Sequence, residues 1–174
     1  MDEKQRIESL EMALRNELNE REFYLKHAQR TSNPVGKAMF QNIADDELEH
    51  YQRLKKLHAL WMKKEKWPES VPLTVNSRNI QSILSGLIRH VEGSEESDTD
   101  DLEAINIAVA FESKGHEAYL DLSRSVSDPR EKAFFELLAS MEREHYLALK
   151  DVDEYLKDPS SWFTKREHHG LDGG

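Results

Sequence analysis

The chain has 174 residues, 33% of them charged, and a formal charge of −10, enough for one domain with a sizeable core. No apolar run approaches the roughly 20 residues that span a bilayer, and the acidic balance disfavours nucleic acid and anionic membranes as partners. With no cysteine, disulfides, thiol catalysis and Cys-ligated iron centres are excluded within this chain.

The chain opens on Met1-Asp2-Glu3-Lys4, without the basic start and apolar stretch of a secretory signal, so a cytoplasmic location is expected. Apolar spacing then predicts a helix over about 4–30, with Leu10, Leu14, Glu17, Leu25 and Ala28 near one stripe. Thr31-Ser32-Asn33-Pro34 ends it and supplies an N-cap and an N1 proline for a second helix over about 35–65, through Phe40, Ile43, Ala44, Glu47, His50, Leu54 and Leu57. A third helix is expected over about 101–126 and a fourth over about 130–157, with Ser127-Asp128-Pro129 doing the same capping between them. Both turns are short, so each pair should form an antiparallel hairpin.

Between the pairs lies a long connector, 67–100, with Pro68 and Pro72, then Ile80, Ile83, Leu84, Leu87, Ile88 and Val91 at helical spacing. It reads as a short amphipathic crossover helix followed by an acidic, solvated loop. The tail, 158–174, carries Trp162 and Phe163, which are expected to dock on the bundle or on a partner chain. The organisation is therefore a bundle over 1–157, made of helix pairs 4–65 and 101–157, plus that tail. The expected fold class is all-α, a four-helix bundle of two antiparallel hairpins joined by a long crossover.

Duplication is visible in the residues. At an offset of 95, residues 13–57 match 108–152 at 17 of 45 positions, where chance gives roughly three. The matches include Glu17/Glu112, Tyr24/Tyr119, Pro34/Pro129, Phe40/Phe135, Glu47/Glu142 and His50/His145. Each half thus supplies one Glu and, on the next helix, a Glu-x-x-His. Positions i and i+3 share a helix face, so Glu47 with His50, and Glu142 with His145, can address one ion. A single Glu-x-x-His in a charged helix is usually a solvated face. Here both copies lie on the apolar stripe, and buried carboxylates without cations would cost several kcal/mol each or take up protons. Glu17, Glu47, His50, Glu112, Glu142 and His145 are therefore expected to hold two metal ions, with Glu47 and Glu142 as bridges. Hard oxygen donors with two imidazoles suit iron, with manganese as the alternative.

These residues resemble the rubrerythrins, in the ferritin-like di-iron carboxylate group. The likeness covers about 10–157 and rests on Glu17…Tyr24, Lys37-x-x-Phe40, Ala44-x-x-Glu47-x-x-His50 and their copies Glu112…Tyr119, Lys132-x-x-Phe135, Ala139-x-x-Glu142-x-x-His145. The resemblance implies a di-iron peroxidase that reduces hydrogen peroxide to water as part of oxidative-stress defence, with dimers common. Rubrerythrins proper carry a rubredoxin domain with a Cys-ligated iron. This chain has no cysteine, so it is read as a stand-alone erythrin domain using an external donor such as rubredoxin, or an NADH-linked one. The alternatives are a ferroxidase or dioxygen-reducing protein, and a non-catalytic iron-binding or storage subunit.

One departure concerns the position one turn after Glu112, where rubrerythrins carry a further Glu that exchanges with a His as the redox state changes. Here it is Gly115, and its counterpart in the first half is Glu20. Either Glu20 is a seventh carboxylate moved to the first helix, or it faces solvent. Tyr24 and Tyr119 recur on the face of their Glu, as hydrogen-bond donors to ligand carboxylates and participants in the chemistry, or as core tyrosines. His116 is expected to support the site from outside, and His168 and His169 to be solvated.

Overall fold

The computed structural model describes residues 3–63, 83–84, 86–87 and 99–171. Among the described residues the long helices follow in order: α1 Glu3–Arg30, α2 Pro34–Met62, α3 Thr99–Ser125, α4 Pro129–Lys157 and α5 Pro159–Leu171. Helix α1 packs along α2 and α3 along α4, and the two hairpins meet through α2 against α4 and α1 against α3. This is the all-α bundle of paired hairpins that the repeat predicts. Among the described residues no helix is long and apolar enough to cross a membrane.

The hairpin turns are made alike in both halves. Asn33 accepts from the amides of Val35 and Gly36 at 2.9 and 3.1 Å, and Asp128 from those of Arg130 and Glu131 at 2.8 and 3.4 Å. Each cap is followed by proline at N1, whose missing N–H is not needed there. Among the contacts that tie the hairpins together, Thr31 Oγ1 donates to Asp101 at 2.6 Å and Trp61 Nε1 donates to Glu131 at 2.9 Å.

Packing divides the core into two apolar layers. One contains Tyr24, Ala28, Phe40, Ile43, Ala44, Ile105, Ala108, Leu149 and Val152. The other contains Leu10, Leu54, Leu57, Tyr119, Leu122, Phe134, Phe135 and Leu138. Each large apolar side chain buried there contributes about 1.5–3 kcal/mol. On every helix of the bundle the ligand candidates fall between the two sets: Glu17 between Leu10 and Tyr24, Glu47 and His50 between Ala44 and Leu54, Glu112 between Ala108 and Tyr119, Glu142 and His145 between Leu138 and Leu149. A polar layer is thus sandwiched mid-bundle.

The tail is helical over Pro159–Leu171. Asp158-Pro159 begins α5 as Asn33-Pro34 and Asp128-Pro129 begin α2 and α4, with Asp158 Oδ1 accepting from the Ser161 amide at 2.9 Å. Trp162 is buried, packs edge-on against Tyr155 and donates Nε1–H to Asp151 at 3.0 Å, which docks α5 on α4. The side chains of His168 and His169 lie outside the described residues, as does most of the crossover. Of the latter, Ile83, Leu84, Gly86 and Leu87 are helical, and Leu84 is buried in the first apolar layer.

Candidate metal centre

Four helices each deliver their part of the polar layer: Glu17 from α1, Glu47 and His50 from α2, Glu112 from α3, Glu142 and His145 from α4. None is more than 3% exposed. The donor atoms form two overlapping groups, Glu17–Glu47–His50–Glu142 and Glu47–Glu112–Glu142–His145, with the atoms of each group within 4.8 Å of one another. Glu47 and Glu142 belong to both. The two imidazoles lie nearly parallel with centroids 5.5 Å apart. All six residues expected from the repeat come together, each half contributing three.

The donor set has the chemistry of a cation site. His50 Nδ1 lies 3.2, 3.1 and 3.2 Å from carboxylate oxygens of Glu17, Glu47 and Glu142. His145 Nδ1 lies 3.0 and 3.3 Å from those of Glu47 and Glu112. One nitrogen carries at most one proton and cannot donate to every oxygen that converges on it. Glu142 Oε2, fully buried, has no hydrogen-bond partner among the described residues. Lone pairs that lack donors, in a layer closed by apolar residues on both sides, are what divalent ions satisfy. A pair of ions held by these six residues fits both groups.

Protons stand in part for those charges in the protein alone. Burial, then the Glu47 charge, raises Glu17 to about 8. Burial with the Glu47 and Glu112 charges pushes Glu142 well above the carboxylate range. Burial alone would raise Glu47 too, but the neighbouring His50 and His145 outweigh it and hold it below its ordinary value. Burial opposes charge on both imidazoles, yet the surrounding carboxylates dominate and raise His50 and His145 well above the usual value.

The surroundings cross between the halves. Tyr24 donates its hydroxyl to Glu112, and Tyr119 donates to Glu17. Each phenol therefore holds a carboxylate of the opposite half, not the Glu seven residues before it on its own helix. Asp46 escaped the sequence reading: its carboxylate lies 3.3 Å from His145 Nε2, so it can fix that ring's orientation. Its signal was the acidic residue directly before Glu47, in Asp-Glu-x-x-His. The counterpart of Asp46 is Met141, and His50 Nε2 has no hydrogen-bond partner among the described residues. His116 Nδ1–H donates to the Ala139 carbonyl at 2.7 Å, so it braces α3 against α4 one turn before Glu142.

Gly115 has a steric reason. A Cβ there would sit 2.7 Å from Glu142 Oε2. That oxygen ends a flexible side chain and can move, so Gly115→Ala should leave the metal-free fold intact while displacing the shared carboxylate. We expect roughly tenfold weaker metal retention with unchanged or higher thermal stability of the metal-free protein, since Gly→Ala inside a helix favours the helix by up to about 1 kcal/mol. Competition with a chelator and a melting curve check the two halves of this expectation. Glu20 is half-buried, lines a cavity beside Glu17, Gly115 and Glu142, and is raised to about 10 by burial and by the charges of Glu47, Glu112 and Glu17.

A bundle of two fused hairpins with four glutamates and two histidines in its core is the architecture of the ferritin-like carboxylate proteins. The rubrerythrin family model matches residues 8–153. The chain belongs to the rubrerythrin family. It is also similar to a solved structure, a hypothetical protein from Pyrococcus furiosus, at 25% identity and a TM-score of 0.66, over 88% of this chain and 90% of that one. No curated protein matches it.

Proposed function

We propose that this protein is a non-haem di-iron peroxidase that reduces hydrogen peroxide to water with electrons from a separate donor protein. The observation that carries the reading is the pair of overlapping buried ligand groups sharing Glu47 and Glu142, in a chain of the rubrerythrin family. Glu17 and His50 would hold one ion, Glu112 and His145 the other, and Glu47 and Glu142 would bridge them. Such a pair supplies Lewis acidity and two electrons to an O–O bond. The oxygen-rich donor set with two imidazoles favours iron over a thiophilic metal, with manganese next.

The chain's own residues do the rest. The two apolar layers limit access of water to the centre, so charges there act in a low-dielectric medium. Tyr24 and Tyr119 keep Glu112 and Glu17 in place through their hydroxyls, and burial with the adjacent carboxylates keeps both phenols protonated well above the usual range. They therefore hold protons at the edge of the site, where cleavage of peroxide needs two. Asp46 steadies His145. Glu20, facing the same carboxylates from the cavity, is the seventh carboxylate of this reading, on α1 where Gly115 leaves α3 without one.

The reading extends to a cytoplasmic homodimer with a role in oxidative stress. A closed shell by light scattering would instead favour iron storage. The function is tested by loading the protein anaerobically with ferrous iron and mixing it rapidly with hydrogen peroxide or dioxygen. Oxidation by peroxide at least tenfold faster than by dioxygen is expected; the reverse order would favour an oxygen-reducing ferroxidase.

A further inference from the structure

A cavity of about 190 Å³ lies between α1 and α3 against the ligand layer. Glu17, Glu20 and Glu142 line it with the bare backbone of Gly115 and, beside them, Ala13, Ala118, Leu122 and Met12. The lining is mostly apolar, and Met12, 58% exposed, stands at the surface with the exposed Asn16 and Asp121.

The size is informative. Holding one water takes roughly 10–15 Å³ on this scale, so hydrogen peroxide needs a small fraction of the volume. An apolar cavity of roughly 150 Å³ accommodates benzene. The cavity is thus sized for one hydrocarbon group of about that bulk. Its lining combines the buried carboxylates of Glu17 and Glu142, whose Oε2 has no hydrogen-bond partner among the described residues, with the apolar side chains of Met12, Ala13 and Leu122. A molecule that matches this has a small polar head on a compact hydrocarbon. The pseudo-equivalent position to Gly115 is Glu20, so the glycine keeps open a space that a carboxylate at 115 would occupy.

We propose that this cavity receives the hydrocarbon part of a small organic hydroperoxide and directs its O–O group to the carboxylate layer. The inference rests on the peroxidase reading above and widens its substrate class. In the reaction the O–O bond of ROOH breaks, two electrons and two protons are taken up, and the products are the alcohol ROH and water. The electrons would come from the metal pair that these residues would hold, replenished by the separate electron-donor protein, and the protons from solvent.

The test uses the full chain with its metal and two cavity-filling variants, Ala13→Phe and, at the more exposed position, Ala118→Phe, with circular dichroism establishing that at least one is folded. The probes are cumene hydroperoxide, hydrogen peroxide and 2-phenyl-2-propanol, the unreactive alcohol product, whose binding is followed by calorimetric titration of metal-loaded and metal-free protein. Saturable binding of the alcohol to the wild type is expected, with loss of that binding in the folded variants. The ratio of kcat/KM for cumene hydroperoxide to that for hydrogen peroxide should fall at least tenfold in the same variants. Absence of alcohol binding in the wild type, or an unchanged ratio in a folded variant, overturns the proposal. If the wild type reduces neither peroxide, the peroxidase reading itself falls, and the alcohol titration still decides whether the cavity is a hydrocarbon site.

Discussion

Glu47→Ala should abolish tight binding at both metal positions, not one, and lower peroxidase activity by at least about a hundredfold while the bundle stays folded. Glu47 is a member of both ligand groups, so its loss takes an oxygen from each. Glu17 and Glu112 each belong to one group. Glu17→Ala should accordingly weaken one position while the other keeps its metal. Folding is expected to survive because the helices are held by the two apolar layers on either side. Metal analysis after gel filtration, alongside circular dichroism, reads both quantities. Retention of one ion in Glu47→Ala and of none in Glu17→Ala would reverse the assignment of bridging and terminal carboxylates.

The metal-free protein should lose stability as pH rises, which is opposite to the behaviour of a protein stabilised by ionised carboxylates. Glu17 moves from an ordinary value of 4.5 to about 8 on folding, and Glu142 moves in the same direction. Between those values the folded chain keeps protons that the unfolded chain has released. It therefore binds more protons than the unfolded state, and stability falls with rising pH through the folded value. His50 and His145, raised from 6.5, act with the same sign above that pH. Glu47 is lowered, so its contribution is present above 4.5 and lost only as pH falls below it. Over pH 5 to 9 the melting temperature of the metal-free protein should drop by on the order of ten degrees. With metal bound the ligands are deprotonated and their charges compensated, so the protein should melt higher and the decline should disappear. Differential scanning calorimetry of both forms across that range is the check. A metal-free melting temperature that climbs between pH 5 and 8 would mean that these carboxylates are ionised without metal.

The helices and the meeting of the six ligand candidates were legible because both follow from spacing. A Glu-x-x-His one turn apart needs no tertiary information to share a face, and the offset between halves pairs each residue with its counterpart. Partners across helices were less accessible. Nothing in the spacing of Glu17 and Tyr24 tells that the phenol reaches over to Glu112, because that depends on how α1 lies against α3. The contact of Asp46 with His145 likewise joins α2 to α4, although the acidic residue before Glu47 was there to be noticed. Helix α5 carries a local start signal as well, because Asp158-Pro159 repeats the cap and proline that begin α2 and α4. The atom that Gly115 leaves room for, Glu142 Oε2, is visible only in the packed geometry.

The central claim is that six buried side chains hold a pair of ions and not one. Anaerobic titration of the metal-free protein with ferrous iron, read by metal analysis and by Mössbauer spectroscopy after oxidation, tests it most directly. Two irons per chain are expected and, after oxidation, a diamagnetic ground state from coupling through shared ligands. Saturation at one iron per chain, or two irons that behave as isolated paramagnetic centres, would contradict it.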